Sequence, residues 1–322
     1  MRRDRPLVGY GLVVAAAILA SVNATVGKIV MTSGGLTPYR VSEVRAAGSA
    51  VLILVALALV RGRELRPRRD ELPFLALFGL VGLAIAQLLY FISIRHLPIG
   101  VALVVVNLGI VLVAVWAHFF RDHRVDARLA AAICLALGGL ALVVQLWKGL
   151  ALNGVGIAAA LACAIAYAAY ILLAEHAVAR GRSAAFIVGW GFLIGSAFWA
   201  VAQPWWSFPW ELLGRDVSLL GRLGEAHAPV WLLLLYVVPL GTVAPFVLYA
   251  AALRYVPATH VVVAAVLEPV FGTLVAFAWL GETLGAAELL VGLLVLAAVV
   301  LGQTGGRVRV PEPLPGGARG GR

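Results

Sequence analysis

Tyr90-Phe-Ile-Ser-Ile-Arg95-His-Leu-Pro98 recurs without a gap as Tyr249-Ala-Ala-Ala-Leu-Arg254-Tyr-Val-Pro257. The correspondence runs on into the segments that follow, pairing Val104 with Val263, Leu108 with Leu267 and Val111 with Val270. Gly9-Tyr-Gly11 and Gly154-Val-Gly156 echo each other near the start of each half. Any two helices rich in Leu, Val and Ala look alike. A Tyr, an Arg and a Pro held at one spacing need a further explanation, and an internal repeat supplies it.

The surroundings of the repeat are lipid-like in composition. Hydrophobic residues make up 63% of the chain, charged residues 12%, and the mean hydropathy is +1.01. Soluble domains carry roughly 45–50% apolar and 25% charged residues. The apolar blocks are long and continuous, with none of the alternation of an outer-membrane barrel strand, so the spans are helices. Blocks long enough to cross a bilayer fall at about Leu7–Val30, Val41–Val60, Leu72–Ile94, Pro98–Phe120 and Ala127–Trp147 in the first half. In the second half they fall at about Asn153–Ala174, Ala184–Ala202, Val230–Leu253, Pro257–Leu280 and Leu284–Leu301. The sequence therefore predicts an all-α membrane protein of ten transmembrane helices. Five helices per repeat is an odd number, so the two copies, residues 7–147 and 153–303, insert with opposite orientation. Inverted repeats about a midplane site are the architecture of many secondary transporters.

Most of the 25 Lys and Arg fall between spans on one side: Arg2, Arg3 and Arg5, the run from Arg61 to Arg69, Arg121 to Arg128, Arg180 and Arg182, and Arg307 onward. Basic residues stay cytoplasmic, which places residues 1–6 and the tail 304–322 inside and Gln203–Pro229 outside. The net charge of +10 is spread over these short segments, so no nucleic-acid partner is expected. The basic start followed by an apolar run mimics a secretory signal, but the many later spans favour a retained first helix. In the outer segment Trp205, Trp206 and Trp210 fit an interfacial belt, and Glu211 to Glu225 is expected to lie flat as a short amphipathic helix. The Gly-, Pro- and Arg-rich tail from Gly305 is expected to be disordered. Cys134 and Cys163 both sit in apolar blocks and read as packing residues.

At Ala252-Leu-Arg-Tyr-Val-Pro-Ala258, Leu267-Glu268-Pro269 and Leu280-Gly281-Glu282-Thr-Leu284 the chain resembles EamA-type transporters of the drug/metabolite transporter superfamily. The resemblance covers about residues 7–303. It implies ten helices in two five-helix repeats and the movement of amino-acid-like compounds, other metabolites or drugs, with export the commoner direction. Lys28 and Arg45 also sit where that family often has a basic residue. The first half departs from the pattern: Leu108-Gly109-Ile110 stands in place of Leu-Glu-Pro and Arg121-Asp122-His123 in place of Leu-Gly-Glu.

Glu268 is the sharpest candidate for function. A carboxyl at mid-membrane normally faces a cavity or a partner, and here it serves either substrate-amine binding or proton coupling. A structural Glu bonded to a neighbouring helix is the plain alternative. Pro269 removes a backbone donor beside it and marks a hinge. Glu43 and Arg45 are two residues apart, so they point to nearly opposite sides of the second span. Arg45 is the deeper and could clamp a carboxylate or phosphate, or else snorkel to the interface. Lys28 offers the same two uses, with snorkelling favoured. Asn107, Tyr90, Tyr249 and Asn23 add mid-membrane polarity that is either interhelical glue or cavity lining. His118, His176 and His260 lie near helix ends and read as solvated or capping. No metal site, cofactor or catalytic constellation is expected.

The expected function is a secondary transporter of the cytoplasmic membrane, with a small-molecule substrate, the lipid bilayer and a homodimer as candidate partners. A lipid-modifying enzyme or assembly factor is the alternative, and it would gather acids or histidines at one membrane face. The charge pattern predicts that a cysteine at position 218 reacts with an impermeant thiol reagent in intact cells. Labelling only after lysis would reverse the orientation.

Overall fold

The structure is a computed structural model that describes residues 6–120, 153–252 and 267–282, together with 131, 134, 135, 255, 290, 293, 294 and 297. The first helix, α1 (Pro6–Thr32), ends where Gly35 takes φ +75°. Thr37 then caps α2 (Pro38–Arg61), its side chain accepting the Arg40 N–H at 3.3 Å. The same device opens α7 (Ala184–Ala202), where Ser183 accepts the Phe186 N–H at 3.3 Å. A hydroxyl at this position satisfies one of the donors that every helix start leaves over.

The third span is composite: α3 (Leu72–Phe78), a π-helical stretch Gly79–Ile85, and α4 (Ala86–His96). The chain turns at Leu97, held extended by the following proline, into α5 (Ile99–Phe120). In the second half α6 (Gly154–Ala179) and α7 precede a second composite span. That span is α8 (Val230–Leu235), a π-helical stretch Tyr236–Val243, and α9 (Ala244–Ala252). The ninth span is α10 (Leu267–Leu280). The two π stretches occupy matching positions in the repeat, with Gly82 of one aligned to Gly241 of the other.

Among the described residues six helices are long and apolar enough to cross a membrane: Leu7–Thr32, Pro38–Val60, Arg69–His96, Gly154–Ala174, Ala184–Ala202 and Val230–Tyr249. Ile99–Val113 and Glu268–Leu280 are shorter apolar helices where the fourth and ninth spans are expected. The expected fifth and tenth spans lie almost wholly outside the described residues, and the tail from Gly305 lies outside them entirely.

The segment between α7 and α8 corrects one expectation. Glu211 to Glu225 is not an amphipathic helix. It forms short 3-10 turns at Trp210–Leu212 and Gly221–Leu223 around an antiparallel hairpin, β1 (Asp216–Ser218) with β2 (His227–Pro229). Gly214 and Gly224 loosen any helix, and Leu220 (φ 61°) and Gly221 (φ 56°) take left-handed conformations that end one. Ser218 closes the hairpin by donating to the Gly224 carbonyl at 2.7 Å, which makes exposed Glu225 the better position for the labelling test above.

Helix directions follow from what meets at each end of the bundle. The hairpin touches the end of α10, where the Trp279 indole donates to the Leu219 carbonyl at 2.9 Å. Beside it lie the end of α1 and the start of α5, joined through Glu282. Gly156, opening α6, packs on His96 and Leu97 at the same end. Arg40, opening α2, bonds Gln203 and Ser207 just past the end of α7. At the far end Glu71 before α3 pairs with Arg182 before α7 at 2.6 Å. Thus α1 runs toward the hairpin and α6 away from it, α2 away and α7 toward it, the third span toward and the eighth away, α5 away and α10 toward it. Every described helix is antiparallel to its repeat counterpart.

Packing repeats with the halves exchanged. The eighth span and α10 lie against α1, as the third span and α5 lie against α6, and α2 and α7 pack on each other. Where α7 crosses the third span, a Cβ on Gly79 would stand 2.7 Å from the Gly191 carbonyl oxygen and 2.9 Å from Ile194 Cβ. Where α2 crosses the eighth span, a Cβ on Gly48 would meet Val238 at 2.6 Å. Val238 is the repeat partner of Gly79, and Gly48 is the partner of Ile194. The small residue has changed sides while the crossing is kept. Gly79→Ala should lower the melting temperature in detergent, at a cost of about 1–3 kcal/mol. Gly11→Ala, with open space around it, should leave it unchanged. Equal melting of the two variants would show that the crossing is not tight.

Candidate functional site

Arg45 of α2, Tyr90 of α4, Tyr167 of α6 and Tyr249 of α9 gather about Glu268 of α10. Arg45 is seven residues into α2 from Pro38, roughly 10 Å at 1.5 Å per residue. Its side chain is buried and its guanidinium lies over the Phe91 ring, 5.5 Å from the centroid. A ring face stabilises a cation without using its N–H groups, and here Nε and Nη1 have no hydrogen-bond partner. Ser49, one turn further along the same face of α2, also keeps its hydroxyl free of protein partners.

Glu268 is twelve residues before Leu280 in α10, roughly 18 Å from that helix end. The side chain is half-buried. Its main-chain carbonyl accepts from Ser21 Oγ at 2.9 Å, fastening α10 to α1 at depth. Arg45, Tyr90, Tyr167 and Tyr249 all lie within electrostatic reach of the Glu268 carboxyl. Asn23 is buried over Gly241, where the missing Cβ lets α1 approach the π stretch, and its Oδ1 has no partner. Thr25 Oγ1 and the Tyr249 hydroxyl are likewise buried and unpartnered. A buried polar atom left without a partner costs about 1–3 kcal/mol. Arg45, Ser49 and Tyr249 bring such atoms to the neighbourhood of Glu268, whereas Thr25 stands on nearly the opposite face of α1 from Asn23, and Glu43 Oε1 and Trp199 Nε1 are unpartnered elsewhere.

The sequence-level candidates divide on inspection. Arg45, Glu268, Tyr90, Tyr249 and Asn23 come together. Asn107 spends one donor on its own helix, Nδ2 to the Leu103 carbonyl at 2.8 Å. Pro269 is buried beside Glu268, and its carbonyl accepts from Thr273 Oγ1 at 2.9 Å. Cys163 is buried and donates to the Ala86 carbonyl at 3.3 Å. Ser21, Thr25 and Ser49 went unnoticed in the sequence because short hydroxyl side chains are ordinary in membrane helices. Among the described residues no three His, Cys, Asp or Glu side chains are gathered so that they could hold a metal ion. A shallow cleft lined by Glu71, Phe74, His176 and Arg182 sits at the far end, away from these groups.

Arg40 also escaped sequence reading, although its spacing from Glu43 was legible. Nη1 donates to Glu43 Oε2 at 2.7 Å and to the Gln203 carbonyl at 3.1 Å. Nη2 donates to the Ser207 carbonyl at 2.9 Å and to Ser207 Oγ at 2.7 Å. Glu43, fully buried, is thereby tied to Arg40 through Oε2, and among the described residues Arg45 keeps Nε and Nη1 without a hydrogen-bond partner.

The sequence pattern of the EamA-like transporter family matches residues 7–145 and again 154–302. An uncharacterized transporter of Archaeoglobus fulgidus is 27% identical over 226 residues, covering 69% of this chain and 75% of that protein. One of Clostridium kluyveri is 21% identical over 176 residues, covering 53% and 57% respectively. A solved crystal structure superposes with a TM-score of 0.57 over 94% of this chain and 96% of that one, at 19% identity, a likeness of fold.

Removing Arg40 alone leaves the buried Glu43 unpaired. Arg40→Met should therefore destabilise the protein by about 3–5 kcal/mol, read as a lower melting temperature. Arg40→Met with Glu43→Met should recover most of the loss. A double variant as unstable as the single one would show that the bonds to Gln203 and Ser207, and not the ion pair, dominate.

Proposed function

This chain belongs to the EamA-like transporter family, and from that premise we propose that it is a secondary transporter. It exports a small amino-acid-like metabolite or drug-like solute across the cytoplasmic membrane by alternating access of its two inverted halves. The far end, which holds Arg66, Arg68, Arg69, Arg180 and Arg182, faces the cytoplasm, and the hairpin faces outside. The observation that carries this reading is the polar cluster at mid-depth, in which Arg45 and Glu268 lie within electrostatic reach of each other, and the transport gap is assigned to it. A solute with an anionic and a cationic group meets both. Arg45 offers uncommitted N–H donors to a carboxylate, Glu268 accepts from an ammonium group, and Tyr90, Tyr167 and Tyr249 supply aromatic surface between them. Glu268 is also placed to carry a proton when the solute leaves, which couples transport to a proton gradient.

The test is flux in proteoliposomes loaded with a panel of amino acids, amines and carboxylates, with and without a pH gradient. Glu268→Gln keeps the shape and most hydrogen bonds of the side chain, so it should express and melt normally while gradient-driven flux falls at least about ten-fold, the loss of one charged hydrogen bond. Arg45→Gln should impair carboxylate-bearing solutes more than amines. Wild-type flux in Glu268→Gln at every gradient would remove the carboxyl from the mechanism. Failure of that variant to fold would assign Glu268 to structure and leave Arg45 and Asn107 as the site.

A further inference from the structure

The helices form two equivalent groups. One holds α1, the eighth span and α10; the other holds α6, the third span and α5. They meet where α10 touches α5 and where α1 touches α4. At the hairpin end of this seam Lys28 Nζ and Glu282 Oε1 are 2.5 Å apart, both from the first group. Each then reaches across to the second group. Lys28 donates to the Leu97 carbonyl at 3.0 Å, and Glu282 Oε2 accepts the Ile99 N–H at 2.9 Å. We propose that this four-membered network is a latch closing the hairpin end of the transport pathway, a proposal that rests on the alternating-access reading above.

Local structure builds both halves of the latch. Leu97 is held extended (φ −120°, ψ 159°) before Pro98, so its carbonyl leaves the α4 ladder and faces outward. Ile99 follows at the start of α5, where the first N–H groups lack intrahelical acceptors and the helix dipole favours an anion. Glu282 therefore caps a helix that belongs to the other group. Gly281, at φ +71°, ends α10 and turns Glu282 toward that site, and the Glu282 N–H returns to the Ala276 carbonyl at 3.3 Å. This accounts physically for a Leu-Gly-Glu sequence at the end of the ninth helix.

The other interhelical ion pair among those described does a different job. Glu71 and Arg182 join the third span to α7 at the far end. The latch is also one-sided. The repeat offsets that align Gly9 with Gly154 and Pro98 with Pro257 bring Leu173 to the place of Lys28 and His123 to that of Glu282. A leucine in the place of Lys28 cannot form the corresponding pair, so the repeat gives this network no symmetric counterpart. A solute then enters the gap from the far side, and opening outward requires the network to part.

The test uses the full chain with Cys134→Ala and Cys163→Ala and a reporter, Ser49→Cys, one turn from Arg45 on the same face of α2. The protein is reconstituted, and the face that labels through a separate Glu225→Cys variant is taken as the hairpin side. With the latch intact, an impermeant methanethiosulfonate cation applied to that side should label the reporter slowly. Glu282→Gln or Lys28→Met should raise the rate about ten-fold, the factor that goes with one charged hydrogen bond. Lys28→Arg, which can still reach both acceptors, should label as slowly as the parent. Size-exclusion profiles confirm folding, and if Glu282→Gln does not fold, Lys28→Met carries the comparison. Unchanged hairpin-side labelling in a folded latch variant overturns the proposal. An absence of flux in the unmodified protein, with labelling still shifted by the variants, overturns the transport reading and leaves the latch standing.

Discussion

Two helices that meet inside hydrocarbon release no water, so their association rests on close backbone approach and on polar contacts. Both are visible here, in different places. Where α2 and α7 cross the composite spans, glycine lets the backbones touch: Gly79 lies on the Gly191 carbonyl and Gly48 on Val238. These crossings hold each helix group together. Where the two groups face each other small residues recur, Gly27 against Phe91 and Gly272 against Leu103, and the polar contacts gather at the hairpin end in Lys28 and Glu282.

The two halves share their backbone plan and differ in charge. Arg45 is aligned with Gly191, and Glu268 with Gly109. The glycine positions are closed by neighbours, Phe78 and Leu83 over Gly191, and Tyr167 and the Ala164 carbonyl over Gly109. A symmetric site would bring two arginines and two glutamates into one low-dielectric gap, with like charges destabilising one another. One cation and one anion in the gap avoid this and give the site a direction. In the proposed transport cycle such a site would fix one orientation of a polar solute relative to the halves, even though their helices are related by a twofold exchange.

Much of this was legible in the sequence. The spans, their break at Leu97 and the repeat of Tyr90–Pro98 as Tyr249–Pro257 follow from apolar length, proline geometry and spacing. The antiparallel relation of the described helices was expected from five crossings per half, the fifth of which lies almost wholly outside the described residues. Glu268 and Arg45 stood out because charge in hydrocarbon is costly. What stayed hidden depends on contacts between residues far apart in the chain. Lys28 read as a snorkelling side chain because Glu282 is 254 positions away. The segment between α7 and α8 read as a helix because its charges suggested an amphipathic face, whereas Leu220 and Gly221 in left-handed conformations decide for a hairpin. The hydroxyls of Ser21, Thr25 and Ser49 carry no distinguishing mark until each is found buried.

The π stretches have one more consequence. A π turn holds about one residue more than the α ladder around it, so it shifts the phase of everything beyond by about 100°. In the third span Tyr90 lies beyond the shift, and in the eighth Tyr249 does. Drawn as uninterrupted α-helix, both tyrosines would swing by over a quarter turn, away from the side they now share with Glu268. Because the insertion sits at the same place in both halves, the two spans remain in step with each other while each is out of step with itself. The chain aims its tyrosines by miscounting once in each half.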